Sequence, residues 1–129
     1  MFSTPQVNIY SAGVERSVGF YRSLGFEETF RTPREGTPIH VELKLDGFTL
    51  GIAAVTSAVA DHGLELDLSK PGRGMEIVLW TDDTDAAFTT LVAGGARVLS
   101  EPHDWLGRLR VAWVADPDGN PIELVERRR

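Results

Sequence analysis

The sequence predicts an α+β protein built from two βαβββ modules in tandem, and three observations carry that prediction. The chain repeats itself: Gln6-Val7-Asn8-Ile9-Tyr10 and Glu76-Ile77-Val78-Leu79-Trp80 both alternate and end in an aromatic residue. Each is followed by a helical pattern that closes at a glycine, with a constant offset (6 to 76, 25 to 95). Each half also carries a hairpin signal, Asp46-Gly47 in one and Asp118-Gly119 in the other, where glycine supplies the left-handed backbone the turn needs. Finally, 129 residues with 42% hydrophobic side chains suffice for one ordinary globular domain with a buried core.

Residues 6–10 read as the first strand because Val7 and Ile9 alternate with Gln6, Asn8 and Tyr10. Val14, Val18, Tyr21 and Leu24 then recur at helical spacing, with Gly13 a tolerable cap before them and Gly25 closing the helix. Val41, Leu43 and Leu45 alternate with His40, Glu42 and Lys44, and Asp46-Gly47 turns that strand into Leu50-Gly51-Ile52. In the second half, 76–80 is the matching strand, and Asp82 or Asp83 caps a helix whose Ala87, Phe88 and Leu91 face inward before Gly94-Gly95. Leu109, Val111 and Trp113 alternate with Arg110, Ala112 and Val114; Asp116-Pro117-Asp118-Gly119 then turns into Ile122-Glu123-Leu124. Here the offset drifts by two residues (46 to 118), which the loops absorb. The expected organisation is a single domain, 1–129, of two modules, about 1–56 and 74–129, joined by a linker of about 57–73 with a short helix near 58–62. One helix covers one face of each sheet, so the remaining faces are expected to enclose a cavity between two curled mixed sheets.

Composition excludes several functions. Lys and Arg number 13 against 19 Asp and Glu, a net charge of -6, and the one basic cluster is the run 127–129. A nucleic-acid partner would need a basic face, so none is expected. The absence of cysteine removes disulfides, thiolate nucleophiles and sulfur metal sites. Met1 leads into polar residues, and no apolar run approaches the ~20 residues that cross a bilayer, so a soluble, cytoplasmic, unprocessed chain with no membrane partner is expected. No phosphate-cradling loop and no assignable Ser-His-Asp set is present.

Three stretches, in this order and spacing, resemble one family: VERSVGFYRSLGF (14–26), TDDTDAAFTTLVAGGARV (81–98) and ADPDGNPIELVE (115–126). They look like the vicinal oxygen chelate superfamily, also called the glyoxalase, bleomycin resistance protein and extradiol dioxygenase superfamily. The resemblance covers nearly the whole chain and implies the glyoxalase/bleomycin resistance-like fold. That fold hosts metal-dependent isomerases, epimerases, dioxygenases and thiol transferases as well as metal-free drug-binding proteins. In the metal-dependent members that this chain resembles, ligands come from the first and last strand of each module, which here match Gln6, Gly51, Glu76 and Glu123. Gln6 and Glu123 fit the usual residue types. Gly51 has no ligating side chain, and Glu76 stands where histidine is usual. The resemblance also implies a homodimer, with modules paired within one chain or exchanged between two.

Alternation independently places Gln6, Glu76 and Glu123 opposite Val7, Ile77 and Ile122, so the three are expected to face the cavity. Three oxygen donors with two negative charges suit a hard cation such as Mg or Mn, whereas Zn or Fe more typically take imidazole. Such an ion would polarise a substrate oxygen, and Glu76 or Glu123 would move a proton. The competing reading needs no cofactor: Arg108, Arg110 and Lys44 are assigned to the same face and would balance the carboxylates. Unbalanced, the two carboxylates would repel and one would hold its proton near neutral pH. His40 reads as a half-exposed strand residue, and His62 and His103 as loop residues.

Aromatic residues favour binding. Tyr10 and Trp80 occupy matching strand ends on the cavity side, as pocket walls or as plugs. Trp113 is assigned to the helix-facing core, and Trp105 to a loop, as a pocket edge or an interface contact. The sequence therefore favours a small-molecule-binding protein that holds an aromatic or apolar ligand among Asn8, Tyr10, Trp80, Trp105, Arg110 and Glu123, with Glu76 nearby. The alternative is a metal-dependent lyase, isomerase or dioxygenase using Gln6, Glu76 and Glu123; a third reading is a partner-binding module with a filled cavity and an exposed apolar patch.

Overall fold

The computed structural model describes residues 1–70 and 73–128. Residues 71 and 72 of the expected linker, and Arg129 of the basic run, lie outside the described residues. The chain forms two compact units, Met1–Lys70 and Pro71–Arg129.

The first unit runs β1 (Val7–Ser11), α1 (Val14–Ser23), β2 (Glu27–Thr32), β3 (His40–Leu45), β4 (Phe48–Ala54) and α2 (Val55–His62). Its 4-stranded sheet has the order β1-β4-β3-β2, with β1 parallel to β4 and the hairpin pairs antiparallel. Helix α1 forms because Val14, Ser17, Val18 and Tyr21 place a buried stripe at helical spacing. That stripe covers the sheet face carrying Ile9, Val41, Leu43, Leu50 and Ile52, all essentially inaccessible. Each such aliphatic side chain contributes roughly 1.5–3 kcal/mol by leaving water. Tyr21 packs edge-on against Phe20 and Phe26, with ring centroids 5.2 and 5.6 Å away. The linker helix begins at Val55, earlier than residues 58–62, and ends at Gly63, whose φ of 67° closes it in the left-handed conformation.

The second unit runs β5 (Ile77–Trp80), α3 (Thr84–Ala93), β6 (Arg97–Trp105), β7 (Leu109–Ala115) and β8 (Pro121–Arg127), with sheet order β5-β8-β7-β6. Both units thus realise the expected strand-helix-strand-strand-strand order. Asp83 caps α3, accepting from the Ala86 amide at 3.0 Å. Thr84 is its fully buried position, and Ala87, Phe88 and Leu91 are half-buried, as are Asp85 and Val92. The sheet face beneath α3 carries Ala112, Val114, Ile122 and Leu124. Among the described residues, no helix is long and apolar enough to cross a membrane.

Register corrects four assignments made from the sequence. In the β7–β8 ladder Trp113 pairs with Glu123, and Arg110 pairs with Glu126. Cross-strand partners share a face, so Trp113 lies with Glu123 on the helix-free side and Arg110 lies on the helix side. Trp105 ends strand β6 and His103 lies within it, where loops were expected, because β6 runs on to Trp105 through two register shifts.

Candidate functional site

Each sheet presents one face turned away from α1 or α3, the helix-free face. On the first, Asn8, Gly51 and Glu42 stand side by side across β1, β4 and β3. Tyr10, Ala53 and His40 form the adjoining row. Glu42 Oε2 gathers the contacts: the Gln6 amide donates to it at 3.2 Å, and His40 Nε2 lies 3.1 Å away. Gln6 Nε2 also donates to Asn8 Oδ1 at 2.9 Å. These hydrogen bonds, that of His40 first and that of Gln6 second, hold the Glu42 carboxyl below its usual range. Gly51 makes room for the cluster. A Cβ there would fall 2.0 Å from Asn8 Oδ1 and 3.0 Å from His40 Cε1.

On the second sheet the helix-free face carries Glu76, Val78 and Trp80 beside Glu123, Val125 and Arg127. Trp113 joins them from β7, and its indole N–H donates to Glu76 Oε1 at 3.0 Å. His103 from β6 stacks on the Trp113 ring at 6.1 Å between centroids. Burial, with the hydrogen bond and the charge of Glu76, pushes the Glu123 carboxyl up to about 7. Neither Glu76 nor Glu123 has an ion pair with a described residue. Arg127, on the same face, spends its guanidinium over the Trp80 ring, 4.7 Å from the centroid. Trp80 remains 57% exposed and Trp105 52% exposed.

Arg110 does not balance these carboxylates. It grips Asp85 on α3 through two hydrogen bonds of 3.0 and 2.9 Å and reaches Asp104 at 3.3 Å, all on the helix side. Its place among the expected ligand contacts is therefore corrected: the hairpin register turns it away from Glu123. Tyr10 and Trp80 do lie on helix-free faces, each within its own unit.

The donor set at the four family positions does not fit a metal as it stands. Position 51 has no donor, and the space its side chain would fill is taken by Asn8. Gln6 is engaged with Asn8 and Glu42, and Glu76 accepts from an indole. A carboxyl raised to about 7 also takes up a proton where a ligand must be ionised. A separate acidic group, Asp83, Asp85 and Glu126, lies on the helix side of the second sheet with ligand atoms within 4.8 Å of one another. Its members already cap α3 or pair with Arg110: Asp83 accepts from Ala86, Glu126 from the Thr84 amide at 2.8 Å, and Asp85 from Arg110.

Three residues escaped the reading of the sequence. Trp113 and His103 were hidden by register, which no local pattern reveals. Glu42 was legible, because His40-x-Glu42 in a strand must put both groups on one face.

Comparison with known structures agrees with the two-module architecture. A hypothetical protein from S. aureus is 20% identical with a TM-score of 0.81, the alignment covering 98% of this chain and 95% of that one. Lactoylglutathione lyase from Agrobacterium tumefaciens is 23% identical with a TM-score of 0.68, covering 98% and 95%. A member of the glyoxalase/bleomycin resistance protein/dioxygenase superfamily from Sphaerobacter thermophilus is 28% identical with a TM-score of 0.69, covering 98% of both chains. No curated protein matches the sequence significantly. The family model described as Glyoxalase/Bleomycin resistance protein/Dioxygenase superfamily matches residues 4–124, and the chain belongs to that family.

Proposed function

We propose that this chain is a small-molecule-binding protein that takes an aromatic or apolar ligand carrying a hydrogen-bond donor or a positive charge. The observation behind this reading is the Glu76–Glu123 pair, bordered by Trp113 and Trp80 and without a cationic partner among the described residues. Ring surface supplies contact area at little conformational cost, and an uncompensated acid pair supplies orientation and selectivity. Trp105 is a further contact at the end of β6, and Asn8 and Tyr10 are proposed contacts on the corresponding face of the first unit. Sequestration needs no bond-breaking step and no cofactor. Members of the family that bind small molecules make the class reasonable, and a homodimer is proposed with it.

The test is a titration of aromatic amines, phenols and neutral aromatics against the full chain, followed by tryptophan fluorescence. A saturable response that weakens in Glu123→Gln and Trp80→Ala supports the reading; silence from every ligand class overturns it. The competing reading, a metal-dependent lyase, isomerase or dioxygenase acting through Gln6, Glu76 and Glu123, makes a different prediction. Protein purified without chelator would carry near-stoichiometric metal that Glu123→Gln removes.

A further inference from the structure

We infer that the aromatic ligand of the proposed site is dipolar: besides the amine or other donor held by Glu76 and Glu123, it carries a carboxylate that Arg127 binds at the opposite end of the same sheet face. This rests on the ligand-binding reading above and narrows it to one chemical class. Cross-strand partners share a face, so the ladder of the second unit sets out three rows on the helix-free side. Glu123 lies between Val78 and Trp113 in the first row, and Val125 lies between Trp80 and Val111 in the second. In the third, Arg127 stands beside Leu109, with Trp105 of β6 beyond it. The face therefore runs from an acid pair, across buried valines, to an arginine with one tryptophan against it and another two strands away.

Arg127 is free to bind an anion. Its guanidinium carbon lies 4.7 Å from the centroid of the Trp80 ring. A guanidinium stacked on a ring keeps its N–H groups in its own plane, directed away from the ring toward an acceptor. Among the described residues this guanidinium has no hydrogen bond and no ion pair. The acids at this end of the unit are engaged on the helix side: Asp85 and Asp104 hold Arg110 and Arg128, and Glu126 accepts from the Thr84 amide. Trp80 and Trp105 are both more than half exposed, so ring surface and cation are accessible together. Glu123 does not neutralise Arg127, because residues four apart on a strand stand about 13 Å apart. The guanidinium folds back toward Trp80, one row nearer the acid pair, so the two charges of a bound ligand would lie roughly 7–13 Å apart. A single para-substituted ring or a biaryl spans that interval. The negative charge of the acid pair repels a carboxylate at its own end, which fixes the direction in which the ligand lies. Exposed ion pairs contribute up to about fivefold in affinity, and a fork held in place by stacking raises the expected gain to about five- to tenfold.

The experiment is a calorimetric titration of the full chain with para-aminomethylbenzoate and its biphenyl homologue, each beside the matched amine that lacks the carboxylate. At one of the two lengths the dipolar probe should bind about five- to tenfold tighter than its plain amine, and the ratio should shrink as salt rises. Arg127→Gln should remove the ratio, and Arg127→Lys, which keeps the charge but not the fork, should keep part of it. Glu123→Gln should weaken the dipolar probe and the plain amine alike and so preserve the ratio, and Arg22→Gln, which removes a charge from α1 of the first unit, should also preserve it. The ratio in the unaltered chain and its salt dependence need no variant, so the inference stays testable if Arg127→Gln melts early. If the amines bind but the carboxylate adds nothing at either length, or if the ratio survives Arg127→Gln, this inference is overturned while the ligand-binding reading stands. If neither amines nor dipolar probes bind, both fall together.

Discussion

Replacing Glu76 by Gln should release Glu123 from part of what holds its proton. In the native chain the Glu123 carboxyl is raised from 4.5 to about 7, by burial first, then by the hydrogen bond and charge of Glu76. Glu76→Gln removes the charge and turns the neighbour into a donor, which favours the ionised form. The Glu123 midpoint should therefore drop by about one pH unit or more while staying above 4.5, because burial persists. The same shift governs stability. Between 4.5 and about 7 the folded chain binds a proton that the unfolded chain has released, so stability falls as pH rises through this window. At 1.36 kcal/mol per unit, the full interval would amount to about 3.4 kcal/mol. Glu123 is partly solvated, and screening reduces the expected loss to about 1 kcal/mol. Carboxyl-carbon NMR titration measures the midpoint, and urea unfolding from pH 4.5 to 7.5 measures the slope. A native midpoint near 4.5, or a midpoint unmoved in Glu76→Gln, would refute the reasoning.

Other parts of the structure make equally direct predictions. Gly51→Ala would put a Cβ 2.0 Å from Asn8 Oδ1, and because Asn8 is exposed its side chain can swing away; calorimetry should record a stability loss of no more than about 0.5 kcal/mol, and a loss of several kcal/mol would show that Asn8 cannot move. Leu43→Ala, at a position with no solvent exposure beneath α1, should cost about 2–5 kcal/mol in urea unfolding. Arg110→Gln breaks the pairing with Asp85 and Asp104 on the helix side; salt sensitivity of the melting temperature should fall while aromatic-ligand affinity stays unchanged, and a large affinity loss would return Arg110 to the binding face. Trp113→Phe deletes the 3.0 Å bond to Glu76 and should destabilise the chain by about 0.5–1.5 kcal/mol.

Much of the fold was legible because its determinants are local and occur twice. Strands β1 and β5 alternate, α1 and α3 carry apolar residues at helical spacing, and Asp-Gly marks both late hairpins; a second copy tests each reading of the first. Local period also sufficed to put Gln6, Asn8, Tyr10, Glu76, Trp80 and Glu123 opposite their helices, since each assignment compares a residue only with its immediate neighbours.

The misplacement of Arg110 and Trp113 has one physical origin. Alternation within β7 correctly separates Arg110 from Trp113, but which of them joins Glu123 depends on how β7 and β8 are aligned. That alignment is set by the loop 116–120, where Asp116 accepts the Asp118 and Asn120 amides at 2.9 and 2.8 Å and the Asp116 amide donates back to the Asn120 carbonyl at 2.9 Å. The closed loop pairs Ala115 with Pro121, and every later pair follows, down to Trp113 with Glu123. One residue more or less in that loop would exchange the faces. It would put Arg110 on the face of Glu123 and send Trp113 under the helix, the arrangement expected from the sequence. The chemistry of the second sheet is thus decided by a turn that touches neither carboxylate. With Trp113 rather than Arg110 beside the acid pair, Glu76 gains a neutral donor in place of a cation. Glu123 keeps its proton into the neutral range, and the face retains the unbalanced acidity on which the proposed ligand preference rests.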